Sequence, residues 1–377
     1  MQTDYQICTQ CIMDNISDPY ISFDEKGQCN YCKAALQRLP LTYFPNLEGK
    51  RKLNDLVVKL KQEGKGKKYD CLMGISGGLD SAYLAYLGAI KWGLRICAVH
   101  IDDGFDTELA TNNIKNLCKV AGIELINIKP DTEQYADITR AFIRAEVPNI
   151  AIPQDNILFA ILYKYARDYK IKYFLSGSNF ALESILQQGN TYSAYDLYHI
   201  KRLHKQFGDK PIDNLTFISQ YRRDIDRFIL GIETVCPLDL IDYNKKRAID
   251  ELKEFCGFQY YEAKHLENSL TKVIQLRWFF EKFKVDKRRS HLSSLIVSGQ
   301  MTRDEALEEM KKPLYDEKKM ETDVQTVLAK LNMSRDEFEK LIGRSGKQHT
   351  DYPTDKAYIW FNRFFRLPFK LMQVFRK

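Results

Sequence analysis

The fold of this chain is decided by residues 69–81, which read YDCLMGISGGLDS. The stretch begins with a short apolar run, which predicts a buried strand. After the glycines the sequence continues as AYLAYLGAI over residues 82–90, where the apolar residues have the spacing of a helix. A strand, a glycine turn and a helix, in this order, predict a loop that binds an anion.

The residues of this turn have the chemistry that phosphate binding needs. Gly77 and Gly78 lack a Cβ, so the backbone can turn sharply and approach an anion closely. The free amides of the turn and of the helix N-terminus then point at that anion. Ser76 and Ser81 add hydroxyl donors, and Asp80 is placed to hold Mg²⁺ against the phosphates. An ordinary glycine turn between a strand and a helix is the alternative.

Two common nucleotide-binding motifs do not fit this turn. The P-loop requires a lysine after its last glycine, and no lysine follows here. The dinucleotide-binding pattern Gly-x-Gly-x-x-Gly is also missing from the turn. The hexapeptide SGGLDS instead resembles the PP-loop of the ATP pyrophosphatases, which include GMP synthetase, asparagine synthetase and the tRNA-thiolating enzymes.

This resemblance implies a reaction in which ATP is split into AMP and pyrophosphate, with AMP carried briefly on a substrate oxygen. The residues that it implies for nucleotide binding are Gly74, Ser76, Gly77, Gly78, Asp80 and Ser81.

The composition is that of a soluble globular protein, with 44% hydrophobic and 28% charged residues. A length of 377 residues suffices for two or three domains. The net charge of +7 suits acidic substrates such as nucleotides, and it permits RNA without requiring it. The first residues do not read as a signal peptide, and no apolar run is long enough to span a bilayer. We therefore expect a cytoplasmic protein without a transmembrane segment.

Two Cys-x-x-Cys pairs near the N-terminus predict a metal site. Cys8 and Cys11 form the first pair, and Cys29 and Cys32 form the second. Each pair can form a tight knuckle that presents two thiolates to one tetrahedral Zn²⁺. Four protein ligands leave no open position, so this zinc is expected to be structural. A redox-active Cys-x-x-Cys is the competing interpretation.

Strands and helices alternate through the middle of the chain. Further strands are predicted at 95–101, 123–128 and 171–176, with helices at 107–122, 132–145 and 154–169. This alternation predicts an α/β fold with a parallel sheet covered on both faces. The resemblance implies that the sheet is Rossmann-like and of the PP-loop type.

Four domains are expected along the chain. They are an N-terminal zinc ribbon (1–40), a linker helix and loop (41–68), a PP-loop ATP pyrophosphatase domain (69–240) and a mainly helical C-terminal region for the substrate or a partner (241–377).

Ligands of such sheets bind beyond the carboxyl ends of the strands. By resemblance, the end of the second strand frames adenine through Ile101, with Asp102 and Asp103 beside the ribose or Mg²⁺. His100 is a further candidate for nucleotide binding, although a packed strand residue is the preferred interpretation.

Residues 176–179, SGSN, resemble the second glycine turn of the family, which closes over the nucleotide through Gly177 and Asn179. Glu183 lies one helical turn after Asn179, so both could face the site.

Three carboxylates are the candidate catalytic residues: Asp80, Asp155 and Glu183. Glu183 is either a contact of Mg²⁺ or substrate, or merely an acid in the first turn of a helix. Asp155 follows Pro153, and the common use of an aspartate there is as a helix N-cap.

From about residue 240 the pattern becomes mainly helical. Between the predicted helices lies the stretch 286–296, DKRRSHLSSLI, which is read as a basic loop. Its cations are candidates for clasping the phosphates of a substrate, and a plain solvated loop is the alternative. The candidates are Lys287, Arg288, Arg289 and His291. The tail 357–377 is aromatic and basic; it could lie on a membrane surface, but docking on the core is the preferred interpretation.

Several stretches together resemble one family over nearly the whole chain. The cysteine pairs, the PP-loop, the second glycine turn, residues 264–267 (KHLE) and residues 286–296 follow the order seen in the N-acetyl sugar amidotransferases of bacterial surface-polysaccharide synthesis, of the WbpG/PseA type. Those enzymes turn an acetamido group on a nucleotide-activated sugar into an acetamidino group. Lys264 and His265 are further candidates for substrate binding, although the family has glycines before this lysine and the present chain does not.

The resemblance implies ATP, Mg²⁺ and structural Zn²⁺ as cofactors, and a nucleotide sugar, for lipopolysaccharide O-antigen or a related glycan, as substrate. No glutaminase half is recognisable in the sequence, so ammonia is expected from a separate glutaminase subunit. A tRNA-modifying (thiolating) PP-loop enzyme is the alternative. No Cys-x-x-Cys follows Cys32, which argues against sulfur transfer, and no nucleic-acid partner is expected. A non-enzymatic zinc-ribbon adaptor is a third possibility, disfavoured by the intact PP-loop.

Overall fold

A computed structural model describes residues 4–16, 18, 20–261, 266–358, 360 and 361. Within this part of the chain, five parallel strands form one sheet in the order β3-β2-β1-β4-β5. The strands are β1 (Cys71–Gly74), β2 (Ile96–Ile101), β3 (Glu124–Ile128), β4 (Tyr173–Leu175) and β5 (Glu233–Val235). The predicted parallel α/β sheet is confirmed.

The strand order places the glycine turn at the point where ligands of such sheets bind. β1 lies in the middle, with β2 on one side and β4 on the other, so the chain changes direction of winding between β1 and β4. In open α/β sheets, ligands bind beyond the carboxyl ends of the strands at this switch point. The turn after β1 and the turn after β4 therefore lie side by side.

Each face of the sheet packs against its own apolar cluster because successive strand residues point to opposite faces. Leu72, Val99 and Phe174 face one cluster, whereas Cys71 and Met73 face the other. The first cluster includes the helices between β3 and β4 and the last helices of the chain.

The helices of the first half surround the sheet. They are α1 (Asn30–Thr42), α2 (Leu47–Glu63), α3 (Leu79–Tyr86), α4 (Glu108–Ala121), α5 (Thr132–Arg144), α6 (Ile152–Asp168), α7 (Phe180–Glu183), α8 (Leu197–Phe207) and α9 (Gln220–Phe228).

The C-terminal region is helical, as predicted. Its helices are α10 (Lys245–Cys256), α11 (Ser269–Val273), α12 (Lys287–Val297), α13 (Arg303–Met310), α14 (Glu317–Leu331) and α15 (Arg335–Ile342). A helix with widened turns, Ile274–Lys282, continues α11.

Three local predictions differ from the structure. β5 was not predicted, because its three residues are exposed or half-buried, whereas those of the equally short β4 are buried. Residues 287–297 form a helix with Asp286 as its N-cap, so the basic-loop interpretation is wrong. Asp155 is not a helix N-cap: α6 begins at Ile152, with Ala151 as its N-cap, because a proline is tolerated in the first turn of a helix.

No helix among the described residues is both long enough and apolar enough to cross a membrane. Of the aromatic tail, Tyr358 and Phe361 contact the ring of Tyr221, with centroids 5.0 and 6.1 Å away. Residues 362–377 lie outside the described part of the chain.

Candidate active site

The turn after β1 is a glycine loop held tightly against the next two elements. Gly77 has a φ of +78°, and a Cβ at this position would lie 2.7 Å from the carbonyl oxygen of Ala110 in α4. Gly78 is the N-cap of α3 and has no side chain to cap the helix amides. The loop therefore needs glycine for its conformation and leaves helix N-terminal amides at its centre.

Hydroxyl groups line the loop, as predicted. The Ser76 Oγ accepts from the amide of Gly78 at 3.2 Å and lies 3.3 Å from the Ser81 Oγ. Tyr243, a fully buried residue, donates its hydroxyl hydrogen bond to the Asp80 carboxylate. The candidate phosphate-binding residues are thus brought together, and the strand, the glycine loop and the start of α3 form a loop with the groups that bind an anion.

His100 braces the loop rather than lining an open pocket. Its Nδ1 lies 2.8 Å from the carbonyl oxygen of Ile75, and its Nε2 lies 2.9 Å from the Asp106 Oδ2. Burial lowers the pKa of His100, but the contact with Asp106 outweighs it, and the net shift is upward. An imidazolium donates from both nitrogens, which matches these two acceptors. The preferred interpretation of His100 as a packed strand residue agrees with this geometry.

The two aspartates after β2 have different surroundings. The Asp102 carboxylate accepts from the amide of Gly104 at 3.2 Å and is half-buried. Asp103 accepts from the Tyr135 hydroxyl at 3.0 Å and from the Asn268 side chain at 3.1 Å, and burial raises its pKa to about 6. Asp103 therefore ties together β2, α5 and the C-terminal region, whereas Asp102 remains available at the strand end, beside Ile101.

The second glycine turn packs against the first. A Cβ on Gly177 would lie 3.1 Å from the amide nitrogen of Ser81, so this glycine lets the two turns meet. The Asn179 side chain caps α7 through the amide of Leu182 at 2.9 Å. Asn179 is therefore a buried capping residue, and its side chain turns toward its own helix rather than toward an open site.

Glu183 and Lys287 lie close together behind this turn. The Glu183 carboxylate accepts from the Ser178 hydroxyl at 2.8 Å. Burial lowers the pKa of Lys287 to about 8, against the opposing effect of the Glu183 and Asp18 carboxylates. The packing of α12 on α7 brings them together, through a hydrogen bond of 2.9 Å from the Ser298 hydroxyl to the carbonyl of Ala181. Lys287 is thus one predicted cation that the fold does place near the second glycine turn.

The other members of the predicted phosphate clasp have different surroundings. Arg288 forms an ion pair with Asp286 at 2.7 Å, and Arg289 forms one with the buried Asp14 at 2.9 Å. His291 lies half-buried on α12. Lys264 and His265 lie outside the described residues, and a role of these residues in substrate binding stays a prediction.

Asp155 lies near two tyrosines, Tyr135 and Tyr195. It is a half-buried acid in the first turn of α6, close enough to Tyr135 and Tyr195 for its charge to raise the pKa of both hydroxyls further, beyond the effect of burial. The structure therefore groups it with the α5–α6 side of the sheet, and its catalytic role stays a prediction.

Sequence reasoning missed Tyr243 and two other side chains that reach the loop from the C-terminal region. The Tyr261 hydroxyl accepts from the amide of Leu79 at 3.1 Å, at the start of α3. The Glu267 Oε1 lies 3.3 Å from the Ser76 Oγ. Glu267 belongs to the KHLE stretch that carries the family resemblance, but nothing in the local sequence indicates that its carboxylate reaches a loop 191 residues away.

The N-terminal cysteines form a compact buried cluster. The sulfur atoms of Cys8, Cys11 and Cys29 all lie within 4.8 Å of one another, an arrangement that can hold a metal ion. The Cys32 sulfur is not part of this group of three, but it lies close enough to Cys8 and Cys11 for their interaction to raise its pKa. Mutual contacts among the sulfur atoms lower the pKa of Cys8 and Cys11 and raise that of Cys29 and Cys32.

Backbone amides support the two knuckles of this cluster. The Cys11 amide points at the Cys8 sulfur at 3.5 Å, and the Cys32 amide points at the Cys29 sulfur at 3.3 Å. Thiolates that receive amide hydrogen bonds are the donor set of a structural zinc knuckle. The residues therefore fit the predicted zinc ion, and none of the nine cysteines is in a disulfide.

The C-terminal region holds the cysteine cluster in place. Arg303 donates to the carbonyls of Cys8 and Cys11, each at 3.1 Å. Arg289 donates to the carbonyl of Ile12 at 2.8 Å, and the Ile12 amide donates to the Ser293 hydroxyl at 3.2 Å. The ribbon is therefore attached to α12 and α13 rather than free.

Comparisons with solved structures give matches at low TM-scores. The NMN synthetase of Francisella tularensis is 15% identical, with a TM-score of 0.29 over 59% of this chain and 100% of that one. The U34-tRNA thiolase NcsA of Methanococcus maripaludis, solved with its 4Fe–4S cluster, is 17% identical, with a TM-score of 0.33 over 80% of this chain and 88% of that one.

Two further comparisons are made at the level of sequence. An uncharacterised protein of Methanocaldococcus jannaschii is 21% identical over 312 residues, which are 81% of this chain and 93% of that protein. Residues 267–366 match the family model of the C-terminal domain of LPS biosynthesis protein WbpG-like proteins. The matched segment begins at Glu267, the residue whose carboxylate reaches the PP-loop. Residues 267–366 are thus similar to the WbpG-like C-terminal domain, and the predicted resemblance to the WbpG type is confirmed over this segment.

Proposed function

We propose that this protein is an ATP-dependent amidotransferase that converts the acetamido group of a nucleotide-activated N-acetyl sugar into an acetamidino group, for lipopolysaccharide or a related surface glycan. The observation that carries the proposal is the contact between the glycine loop and the WbpG-like segment. A PP-loop lies at the switch point of the sheet, and the first residue of the WbpG-like domain, Glu267, lies against it.

The reaction accounts for each part of this site. An amide carbonyl is a poor electrophile, and amidine formation requires the loss of its oxygen. The acetamido oxygen therefore attacks the α-phosphorus of ATP, and pyrophosphate leaves. Ammonia then adds to the activated carbon, a proton is lost, and AMP departs with the former amide oxygen. No covalent enzyme nucleophile is needed.

The side chains at the loop supply the binding and orientation that this reaction needs. The amides at the start of α3, with the Ser76 and Ser81 hydroxyls, bind the phosphate oxygens of ATP. Asp80 would hold Mg²⁺, which when bound neutralises negative charge on the phosphates and on the leaving pyrophosphate. Ile101 and Asp102, at the end of β2, would contact the nucleoside. Lys287, behind the second glycine turn, is the candidate cation for the sugar diphosphate.

The ammonia source in this proposal is a separate glutaminase. The carboxyl ends of the strands are where ammonia must arrive, so the glutaminase would dock near this edge of the sheet. Glutamine alone should then give no turnover with the isolated protein, whereas high ammonium should support it. Efficient use of glutamine by the isolated chain would contradict this part of the proposal.

The direct experiment supplies the purified protein with ATP, MgCl₂, ammonium chloride and a panel of nucleotide-linked N-acetyl sugars. Pyrophosphate, AMP and the mass of the sugar product are measured. The proposal expects AMP and pyrophosphate in equal amounts, and a product in which one oxygen is replaced by an NH group. Formation of ADP and phosphate would refute cleavage between the α and β phosphates.

The same preparation also tests the alternative, a tRNA-modifying enzyme. Binding of tRNA is measured across a salt series, since phosphate-driven binding weakens steeply with salt. Inactivity on every sugar, together with tight and salt-sensitive tRNA binding, would replace the amidotransferase proposal with the tRNA alternative.

A further inference from the structure

Glu267 has a carboxylate oxygen that lacks a partner at the centre of the site. Only 8% of the residue is exposed. Its Oε1 lies 3.3 Å from the Ser76 Oγ and 2.7 Å from the position that a Cβ on Gly78 would occupy. Among the described residues, its Oε2 is buried and has no hydrogen-bond partner. A buried carboxylate oxygen is costly to leave unpaired, so this atom indicates a missing ligand.

The backbone around Glu267 fixes the position of this carboxylate. The Glu267 carbonyl accepts from the amide of Thr107 at 2.9 Å. The next residue, Asn268, forms an antiparallel bridge with Asp106, and the amide of Ser269 donates to the carbonyl of Phe105 at 2.7 Å. The segment that follows β2 therefore holds Glu267 through main-chain hydrogen bonds on both sides.

Charge decides what the missing ligand is. The loop against which Glu267 lies presents helix amides and hydroxyls, which are groups that bind phosphate. The phosphates of a bound nucleotide would come close to the Glu267 carboxylate, and two anions at short range in a partly buried site repel each other. Because the backbone of Glu267 is held, a cation between the two anions relieves this repulsion without moving the chain.

A second carboxylate lies near the same place. Asp80 is at the start of α3, and Asp80 and Glu267 both lie close enough to Tyr261 to raise its pKa, beyond the larger effect of burial. Hard divalent cations prefer carboxylate oxygens, and Mg²⁺ is commonly held by one or two carboxylates together with the phosphates of the substrate.

We propose that Glu267 is, together with Asp80, a ligand of the Mg²⁺ that accompanies ATP, so that the WbpG-like domain completes the metal site of the PP-loop. This inference rests on the proposed function in that ATP binds the loop. It assigns a role to a residue that the PP-loop motif does not contain.

The test measures nucleotide binding by calorimetry, apart from turnover. Wild type, Glu267→Gln and the control Glu108→Gln are titrated with ATP, once with excess MgCl₂ and once with EDTA. Glu108 is an exposed acid in the first turn of α4. We expect Glu267→Gln to weaken ATP binding with Mg²⁺ at least about 10-fold, to leave it equal or tighter with EDTA, and to reduce Mn²⁺ binding seen by electron paramagnetic resonance. The control should match wild type in all three measurements.

The outcomes separate this inference from its alternatives. If Glu267→Gln tightens ATP binding equally with Mg²⁺ and with EDTA, the carboxylate is only an obstacle that ATP displaces, and the metal role is wrong. If wild type fails to bind ATP under any condition, the proposed function itself fails. Should Glu267→Gln not fold, Glu267→Asp retains the charge but withdraws the oxygens, and an unchanged Mg²⁺ dependence in that variant would also overturn the inference.

Discussion

The glycine loop at residues 76–81 and the basic stretch at residues 287–289 were both predicted to bind phosphate, and the structure treats them differently. The loop keeps its anion-binding groups at the switch point of the sheet, because they are backbone amides fixed by Gly77 and by the start of α3. In the basic stretch, Arg288 and Arg289 are paired with Asp286 and Asp14 of the same chain.

The difference lies in what each motif uses to bind an anion. A backbone loop needs only its own residues to adopt its shape, so the sequence predicts its chemistry locally. A long cationic side chain binds whichever anion the tertiary structure brings within reach. In α12 that anion is an aspartate for both arginines, whereas Lys287 lies close enough to Glu183 for this carboxylate to affect its pKa.

The largest expected effect tests the loop side of this comparison. Asp80→Ala removes the motif's carboxylate at the start of α3 and should lower AMP formation by a factor on the order of 10² or more, since charge stabilisation at the reacting phosphates is lost. Circular dichroism and the thermal midpoint check that the fold is retained. Wild-type turnover in a folded Asp80→Ala protein would mean that the PP-loop is not the ATP site.

The second prediction concerns the N-terminal cysteine cluster, whose backbone accepts hydrogen bonds from Arg289 and Arg303. Cys29→Ser combined with Cys32→Ser should abolish zinc binding, as measured by elemental analysis, because two of four thiolate ligands are lost. Structural zinc contributes folding free energy, so we expect a lower thermal midpoint and faster proteolysis of residues 1–40. Cys236→Ser, a change outside the cluster, is the control. Zinc retained in the double variant, or iron in place of zinc in wild type, would contradict the prediction.

The same difference, between features set by local sequence and features set by tertiary contacts, explains which predictions succeeded. The strands β1 to β4, the cysteine pairs and the glycine loop were predictable because local apolar runs and residue spacing encode them. Helix α12 was mistaken for a loop because its buried face carries Ser290, Ser293 and Ser294, whose hydroxyls are satisfied by hydrogen bonds rather than by apolar packing. Glu267 was missed as a site residue because its contact with Ser76 exists only after the C-terminal region has folded onto the loop.

The third prediction sharpens the comparison within the basic stretch. Lys287→Met should raise the Michaelis constant for the nucleotide sugar about 10-fold, because a charged hydrogen bond to phosphate is lost. The binding of ATP should change little. Lys311→Met, on the exposed surface of the same region, is the control. If both variants bind the sugar like wild type, Lys287 is only a buried packing residue.

The pH dependence gives an independent measurement of Lys287. Burial lowers its pKa to about 8 in the folded protein, so its positive charge is lost as the pH rises through about 8. The Michaelis constant of wild type for the sugar should therefore rise above pH 8, and that of Lys287→Met should not. The unfolded chain binds this proton more tightly, so the same group should add stability as the pH rises from about 8 toward the ordinary lysine pKa near 10.4.

The smallest expected effect tests whether Arg288 takes part in substrate binding at all. Arg288 contacts Asp286 through its Nε at 3.1 Å and its Nη2 at 2.7 Å, and it donates to the carbonyl of Lys312 at 2.8 Å. Arg288→Lys keeps the charge but loses the planar fork, and the pair is partly exposed, so we expect a loss of about 1 kcal/mol or less in the free energy of unfolding. The Michaelis constants for ATP and for the nucleotide sugar should not change.

Arg289→Lys provides the matched comparison for this last prediction. Asp14 is almost fully buried, so weakening its ion pair with Arg289 should cost more stability than the change at position 288, again without a change in the Michaelis constants. A rise of the sugar Michaelis constant in either arginine variant, with ATP binding unaltered, would show that α12 releases its arginines to the substrate. The glycine loop and the arginines of α12 would then both bind phosphate. The ion pairs of Arg288 and Arg289 with aspartates would form only in the absence of substrate.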